Sequence, residues 1–281
     1  MKSKEHLGAG IGSRIMGGKG MTILNKIMYN NPCYKEGRRQ KTKGLMLHSV
    51  GVAQPSAEVF YNNWNKSSYT RACVHAFIDA NTGDVWQTLP WENYGWHGGT
   101  REANSYYIGV EMCESSYIQY TGNGATFTIK NKKKAQADAR RAYKAAVELF
   151  AKLCKDFGLD PSSIISHNEG RLKGIASAHY DPEHYWNGLG LSYTMDTFRA
   201  AVKKKMSAKF KAYMVRVTAS SLNIRKGPGT SYGIQKAITD KGTYTIVEEA
   251  EGPGATRWGL LKAYSTGKDG WISLDFCEKV K

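Results

Sequence analysis

Hydrophobic and polar positions follow two different regimes along this chain. In the first, residues 44–50, GLMLHSV, hold a short apolar run ending in His48, which predicts a buried strand with an imidazole at its exit. SAEVFYNNWN predicts a short helix with apolar residues on one side. RACVHAFIDANTGDVWQTLP alternates on either side of Asn81-Thr82-Gly83-Asp84, a hairpin pattern. SYYIGVEMCES predicts a further strand, with Glu111 near its end. The longest helix is predicted in KNKKKAQADARRAYKAAVELFAKLCKDFGLD. There Ala139, Ala142, Tyr143, Ala146, Val147, Phe150, Ala151, Leu153 and Cys154 share a face, and Gly158 supplies the stop. Residues 162–167 then read as a short strand or extended segment, and TMDTFRAAVKKKMSA as a closing helix. Strands alternating with helices predict an α/β fold, a mixed central sheet flanked by helices.

The second regime begins near Ser207. Short β-branched runs separated by Gly, Pro and Asp follow the basic stretch VKKKMSAKFKA, at the spacing of a small all-β barrel. Four segments are therefore expected: a disordered Gly- and Lys-rich leader at 1–21, an α/β domain at 22–206, a linker at 207–213 and a β-barrel at 214–281. Met21 is a second plausible start, and no internal repeat is visible.

Composition narrows the function classes. The 281 residues are 41% hydrophobic, as in a folded protein, yet hold no apolar run near the ~20 residues that span a bilayer. No signal peptide is evident, so synthesis in the cytoplasm is expected. Cys33, Cys73, Cys113, Cys154 and Cys277 are scattered without a CxxC pair, which points to free thiols and away from a thiolate zinc knuckle. A net charge of +16 suits a polyanionic partner: nucleic acid, anionic lipid or a teichoic-acid-bearing wall. The basic runs read as solvated helix faces and a linker, so nucleic acid is not the expected partner.

The densest chemistry lies in ISHNEGRLKGIASAHYDPEHYW, residues 165–186, with three histidines and an Asp-Pro step. Zinc takes His nitrogen and carboxylate oxygen, and a catalytic site uses three protein ligands. His48 and His167 at strand ends, with Asp181 in the loop beyond, offer such a set; the alternative is a polar surface loop with packed histidines. Glu111 sharpens the choice, because a carboxylate at the end of an apolar strand is costly to bury unless it has a partner or a task. It reads either as a general base beside a metal or as a half-exposed edge residue.

KGLMLHSVG, RACVHAFIDANTGDVWQTLPW, IGVEMCES and the 165–186 segment occur in an order and spacing that resemble the zinc-dependent N-acetylmuramoyl-L-alanine amidases. That family includes the peptidoglycan recognition proteins and phage lysins, and the resemblance covers roughly residues 22–205. It implies zinc ligands His48, His167 and Asp181, a catalytic Glu111, and His75 in the substrate cleft. Many relatives carry Lys two residues before the third ligand, where this chain has His179. The expected role of His179 is an oxyanion donor, with a ligand or supporting role left open. Trp91, Trp96 and His97 are expected as a platform for sugar or peptide, or else as core and rim, and His184 as a residue behind the ligands or one that contacts the wall.

SLNIRKGPGTSYGIQKAITDKGTYTIV resembles the bacterial SH3-type domains that end many wall hydrolases. Tyr213, Tyr232, Tyr244, Trp258, Tyr264 and Trp271 exceed what so small a core needs, so some are expected in a binding groove, which ones being unknown. The resemblance thus implies a zinc-dependent endolysin or autolysin that cuts between N-acetylmuramic acid and L-alanine in a Gram-positive-type wall, reached after release from the cytoplasm. A non-catalytic peptidoglycan-binding protein is the alternative.

Overall fold

The computed structural model describes residues 21–122, 126–208, 210–262 and 270–280. The expected leader (Met21 apart) and Tyr264 lie outside these. The chain divides into two compact units that meet between Ser207 and Ala208.

In the first unit the elements are β1 (Ile23–Asn25), α1 (Pro32–Glu36), β2 (Gly44–Ser49), α2 (Ala57–Trp64), β3 (Ala76–Ile78), β4 (Val85–Gln87), α3 (Arg101–Tyr106), β5 (Tyr107–Met112), β6 (Ile118–Thr121), β7 (Thr126–Ile129), α4 (Lys132–Phe157), β8 (Ile164–Ser166), α5 (His167–Leu172), α6 (Glu183–Gly188) and α7 (Met195–Ser207). Six strands form one sheet in the order β1-β4-β3-β5-β2-β8. Its right half, β3-β5-β2-β8, is parallel throughout, and the β3–β4 hairpin is antiparallel. The fold is therefore a mixed central sheet flanked by helices. Every residue of β2 is buried, as expected of a central parallel strand covered on both faces.

The long helix α4 starts where the Asn131 side chain accepts from the Lys134 N–H and stops at Gly158, which takes the left-handed conformation at φ 62°. Its buried face is Ala135, Ala139, Ala142, Ala146, Leu149, Phe150 and Leu153, largely small residues that let the helix lie close to the sheet. Tyr143 and Val147 sit at the margin of that face, and Tyr143 stacks on Tyr193 at 3.9 Å between centroids. The segment read from sequence as an irregular loop contains two six-residue helices, α5 and α6. Each is under two turns, too short to show a helical period.

The second unit consists of β9 (Tyr213–Val217), β10 (Leu222–Arg225), β11 (Ile234–Ile238), β12 (Thr243–Gly252), β13 (Ala255–Leu261), β14 (Trp271–Ser273) and β15 (Cys277–Lys279). They make one antiparallel sheet ordered β11-β10-β14-β13-β12-β9-β15. Register shifts at Ile246/Glu248 and Ala250/Gly252 let the long β12 pair with β9 first and β13 afterwards, the bend that curls a small sheet. Val215, Val217, Leu222, Ile224, Ile238, Ile246, Leu261 and Ile272 fill its core. An all-β unit of this kind fits an SH3-like domain.

Phe150 of α4 is fully buried and meets Phe198 of α7 edge-on at 5.2 Å. Phe150→Ala is expected to destabilise the first unit by about 3–5 kcal/mol, read as a lower denaturant midpoint. A change within about 0.5 kcal/mol would contradict its place in the core.

Candidate metal centre

Parallel register builds this site. Along β2 and β5, His48 is paired with Glu111, and along β2 and β8, Leu47 is paired with Ser166. The next residue, His167, opens α5, so His48, Glu111 and His167 all emerge at the carboxyl edge of parallel strands, where such sheets gather ligands. Ser166 caps α5. Its Oγ accepts from the Glu169 N–H at 2.9 Å, and the Glu169 carboxylate accepts from the Ser166 N–H at 3.2 Å. The same hydroxyl donates to Glu183 on α6 at 2.6 Å. Arg199 of α7 holds Glu169 with two hydrogen bonds, at 2.8 and 3.0 Å, a fork that fixes the start of α5. Asp181 stands just before α6, and its carbonyl accepts from the Asn168 N–H at 3.1 Å.

These supports bring three donors together. His48 Nδ1 and His167 Nδ1 are 3.0 Å apart, Asp181 Oδ2 is 3.3 Å from His48 Nδ1, and Asp181 Oδ1 is 3.8 Å from His167 Nδ1. All three residues are buried. Ligands held tetrahedrally on zinc at its usual bond lengths lie roughly 3.3 Å from one another, so the spacing fits. The donor chemistry fits as well. Two imidazoles and one carboxylate suit a borderline cation, and three ligands leave a fourth position open.

The electrostatics agree with that use. Burial disfavours an imidazolium at His48, but its hydrogen bond to Asp181 and the charges of Glu111 and Asp181 raise its pKa nonetheless. Burial, aided by His48, pushes His167 down to about 3. Asp181 is held low despite burial by its hydrogen bond to His48 and by the charges of His48 and His167. The shifts at His167 and Asp181 favour the neutral imidazole and the carboxylate, the forms in which both bind a divalent cation.

Glu111 is half-buried and lines the same cleft as His48, His167, His179 and Asp181, with its Oε2 buried. Its Oε2 has no hydrogen-bond partner among the described residues. Burial pushes its carboxyl up to about 8; His48 opposes this, while Asp181 and Glu114 add to it. A positive ion beside it acts in the opposite sense. His179 is exposed at the rim, its ring centroid 4.6 Å from that of His167. His184 accompanies it along the cleft and meets the Tyr120 hydroxyl at 2.8 Å through Nε2; that hydroxyl donates to Glu114 at 2.6 Å.

One expectation needs correction. His75 does not face the cleft: it is fully buried, its Nδ1 accepts from the Gly109 N–H at 3.0 Å and its Nε2 donates to the Asn93 carbonyl at 2.8 Å. Burial lowers its pKa to about 4, so it is a neutral brace between strands, with both nitrogens used. His97 reaches the cleft wall, but its ring nitrogens are also taken, Nδ1 by His48 and Nε2 by the Tyr107 carbonyl. Of the aromatic platform, Trp96 lines the cleft, whereas Trp91 packs on the main core. Residues that sequence reasoning passed over include Ser166, Ser177, Asn104 and Glu114. Only Ser166 had a visible signal, the S-x-x-E spacing of a capping box.

The family model described as N-acetylmuramoyl-L-alanine amidase matches residues 38–184, just over half of the 281-residue chain. Among solved structures, the chain is similar to the hydrolase AmiA of Staphylococcus aureus in complex with its ligand, at 18% identity, with 68% of this chain and 85% of that one covered and a TM-score of 0.48. A mutant endolysin from Bacillus subtilis matches at 18% identity over 65% of this chain and 99% of that one, with a TM-score of 0.43. The Ph2119 endolysin from the Thermus scotoductus MAT2119 bacteriophage Ph2119 matches at 16% identity over 66% and 99%, with a TM-score of 0.38.

Ser166→Ala removes both the α5 cap and the hydroxyl partner of Glu183. It is expected to lower stability by about 1–2 kcal/mol in denaturant titration, and an unchanged midpoint would contradict the capping role.

Proposed function

The chain belongs to the N-acetylmuramoyl-L-alanine amidase family, and from that premise we propose that it is a zinc-dependent enzyme that cuts the amide between the lactyl group of N-acetylmuramic acid and L-alanine. One observation carries the reading: two imidazole nitrogens and a carboxylate converge, buried, beside a second carboxylate with an unused oxygen.

His48, His167 and Asp181 would hold the zinc, which when bound supplies a Lewis acid and a means of acidifying water. Glu111 offers Oε2 as the acceptor for the proton that water loses as its oxygen bonds to the carbonyl carbon. The same carboxyl then returns that proton to the amide nitrogen as the C–N bond breaks, leaving a lactyl carboxylic acid and the free amine of L-alanine. A carboxyl whose burial raises its pKa is suited to hold a proton between those two steps. His179, at the rim beside His167, points to a donor role toward the oxygen that gains charge. The wall of Trp64, Tyr69, Trp96 and Arg71 gives the substrate aromatic faces and a cation to lie against.

The second unit is assigned to wall attachment as an SH3-type domain, entered through the residues between α7, which ends at Ser207, and β9, which starts at Tyr213. Trp258 is too buried to contribute to a groove, whereas Tyr232 is 47% exposed. Attachment would hold the first unit near its substrate and raise its effective concentration there. The excess of 16 positive charges suits the polyanions of a Gram-positive-type wall. An endolysin made in the cytoplasm and set free at lysis is the biological setting that fits. No helix among the described residues is long and apolar enough to cross a membrane.

Purified wall treated with the zinc-loaded protein should yield new L-alanine amino groups and no new reducing sugar ends. Glu111→Gln should retain zinc and lose at least about 100-fold in rate. Asp181→Ala should lose both zinc and activity. Binding of wall without release of any amine would favour a recognition protein, and full activity of Glu111→Gln would overturn the proton-transfer role.

A further inference from the structure

We propose that His97 is a positioning residue that fixes the tautomer of His48, so that the bare Nδ1 of His48 faces the metal; this rests on the reading of the site as a zinc centre. The assignment follows link by link from an atom whose role is not open to choice. A neutral imidazole has one N–H and one bare nitrogen. The Tyr107 carbonyl can only accept, and it lies 3.0 Å from His97 Nε2, so that nitrogen carries the hydrogen. His97 Nδ1 is therefore bare. It lies 3.0 Å from His48 Nε2, which must donate to it. Once a cation replaces the proton that Asp181 attracts, His48 is neutral, and with its hydrogen on Nε2 the lone pair is on Nδ1, the atom that faces His167 Nδ1 and Asp181.

At His167 the second ring nitrogen is met by Ser177. Its Nε2 faces the Ser177 hydroxyl at 3.0 Å, and a hydroxyl serves as donor or acceptor alike. The tautomer of His48 is anchored to the backbone through His97.

The fold reserves space for this ring. A Cβ on Gly109 would stand 2.4 Å from His97 Cγ and 2.5 Å from Nδ1, and a Cβ on Gly95 would stand 2.8 Å from Cδ2. Both positions need glycine for the ring to enter. Asn104 Oδ1 accepts from the N–H groups of His97 at 3.0 Å and Gly98 at 2.8 Å, which fixes the backbone on which the ring is mounted. His75, itself locked by Gly109 and Asn93, meets the His97 ring edge-on at 5.7 Å. Tyr107 and Gly109 belong to β5, the strand that also carries Glu111. One strand thus sets both the tautomer of a ligand and the position of the proposed base.

The experiment compares zinc affinity of the full chain, by chelator competition, for wild type, His97→Leu and His97→Asn. Leucine removes the acceptor, whereas the asparagine Oδ1 stands near where Nδ1 was and still accepts from His48. His97→Leu should bind zinc about 10–100-fold more weakly, and His97→Asn should stay within about threefold of wild type. With cobalt in place of zinc, the visible spectrum of His97→Leu should change and that of His97→Asn should follow wild type. Nitrogen-15 NMR of zinc-loaded wild type needs no substitution, and should show both His48 and His97 as Nε2–H tautomers. Equal zinc affinity in wild type and His97→Leu, or an Nδ1–H tautomer at either residue, would overturn the proposal. Failure of wild type itself to bind zinc would instead remove the metal reading, and the proposal with it.

Discussion

Two buried imidazoles must turn their unprotonated nitrogens toward each other and toward one carboxylate, an arrangement that repels itself unless a proton or a cation lies between. His48 and His167 are each about 1% exposed, so water does not relieve it. A buried polar atom left without a partner costs about 1–3 kcal/mol. Much of the surrounding architecture reads as the means of enforcing this geometry. The Ser166 cap, the Arg199 fork on Glu169 and the hydrogen bonds to Tyr107 and Ser177 each remove a way in which a ring might turn aside. Binding of a cation to the folded chain alone then returns the cost as stability.

The sheet supplies the other half of the arrangement. Parallel pairing of β2 with β5 and β8 places His48, Glu111 and Ser166–His167 side by side at one edge without any long loop having to find its place. Asp181 is the one ligand brought from elsewhere in space, and its approach is secured by the Ser49 N–H, which donates to Oδ2 at 3.2 Å. Glu111 follows the reverse logic of the ligands. Burial and neighbouring carboxylates raise its proton affinity, while a cation at the trio would lower it, which is how a carboxyl becomes useful in proton transfer near neutrality.

Long periodic elements were legible in the sequence: the apolar run of β2, the alternating hairpin around Gly83, and the face and glycine stop of α4. The residues of the trio could be picked out because imidazoles at strand exits are unusual and the 165–186 segment is so dense in them. His75 was misplaced for a physical reason. β3 and β5 are covered on both faces, so alternation cannot tell a residue that faces the cleft from one that braces the sheet. The partner that defines His97 is a backbone carbonyl, which leaves no trace in residue type. The short helices α5 and α6 show no period, and the Ser166-x-x-Glu169 spacing that marks the start of α5 was passed over.

Zinc K-edge absorption spectroscopy of the purified full chain tests the central claim most directly. One zinc per chain should show a first shell of nitrogen and oxygen near about 2.0 Å, with imidazole outer-shell scattering from two rings and no sulfur. A sulfur shell near about 2.3 Å, or a chain that retains no zinc, would contradict a centre built from His48, His167 and Asp181.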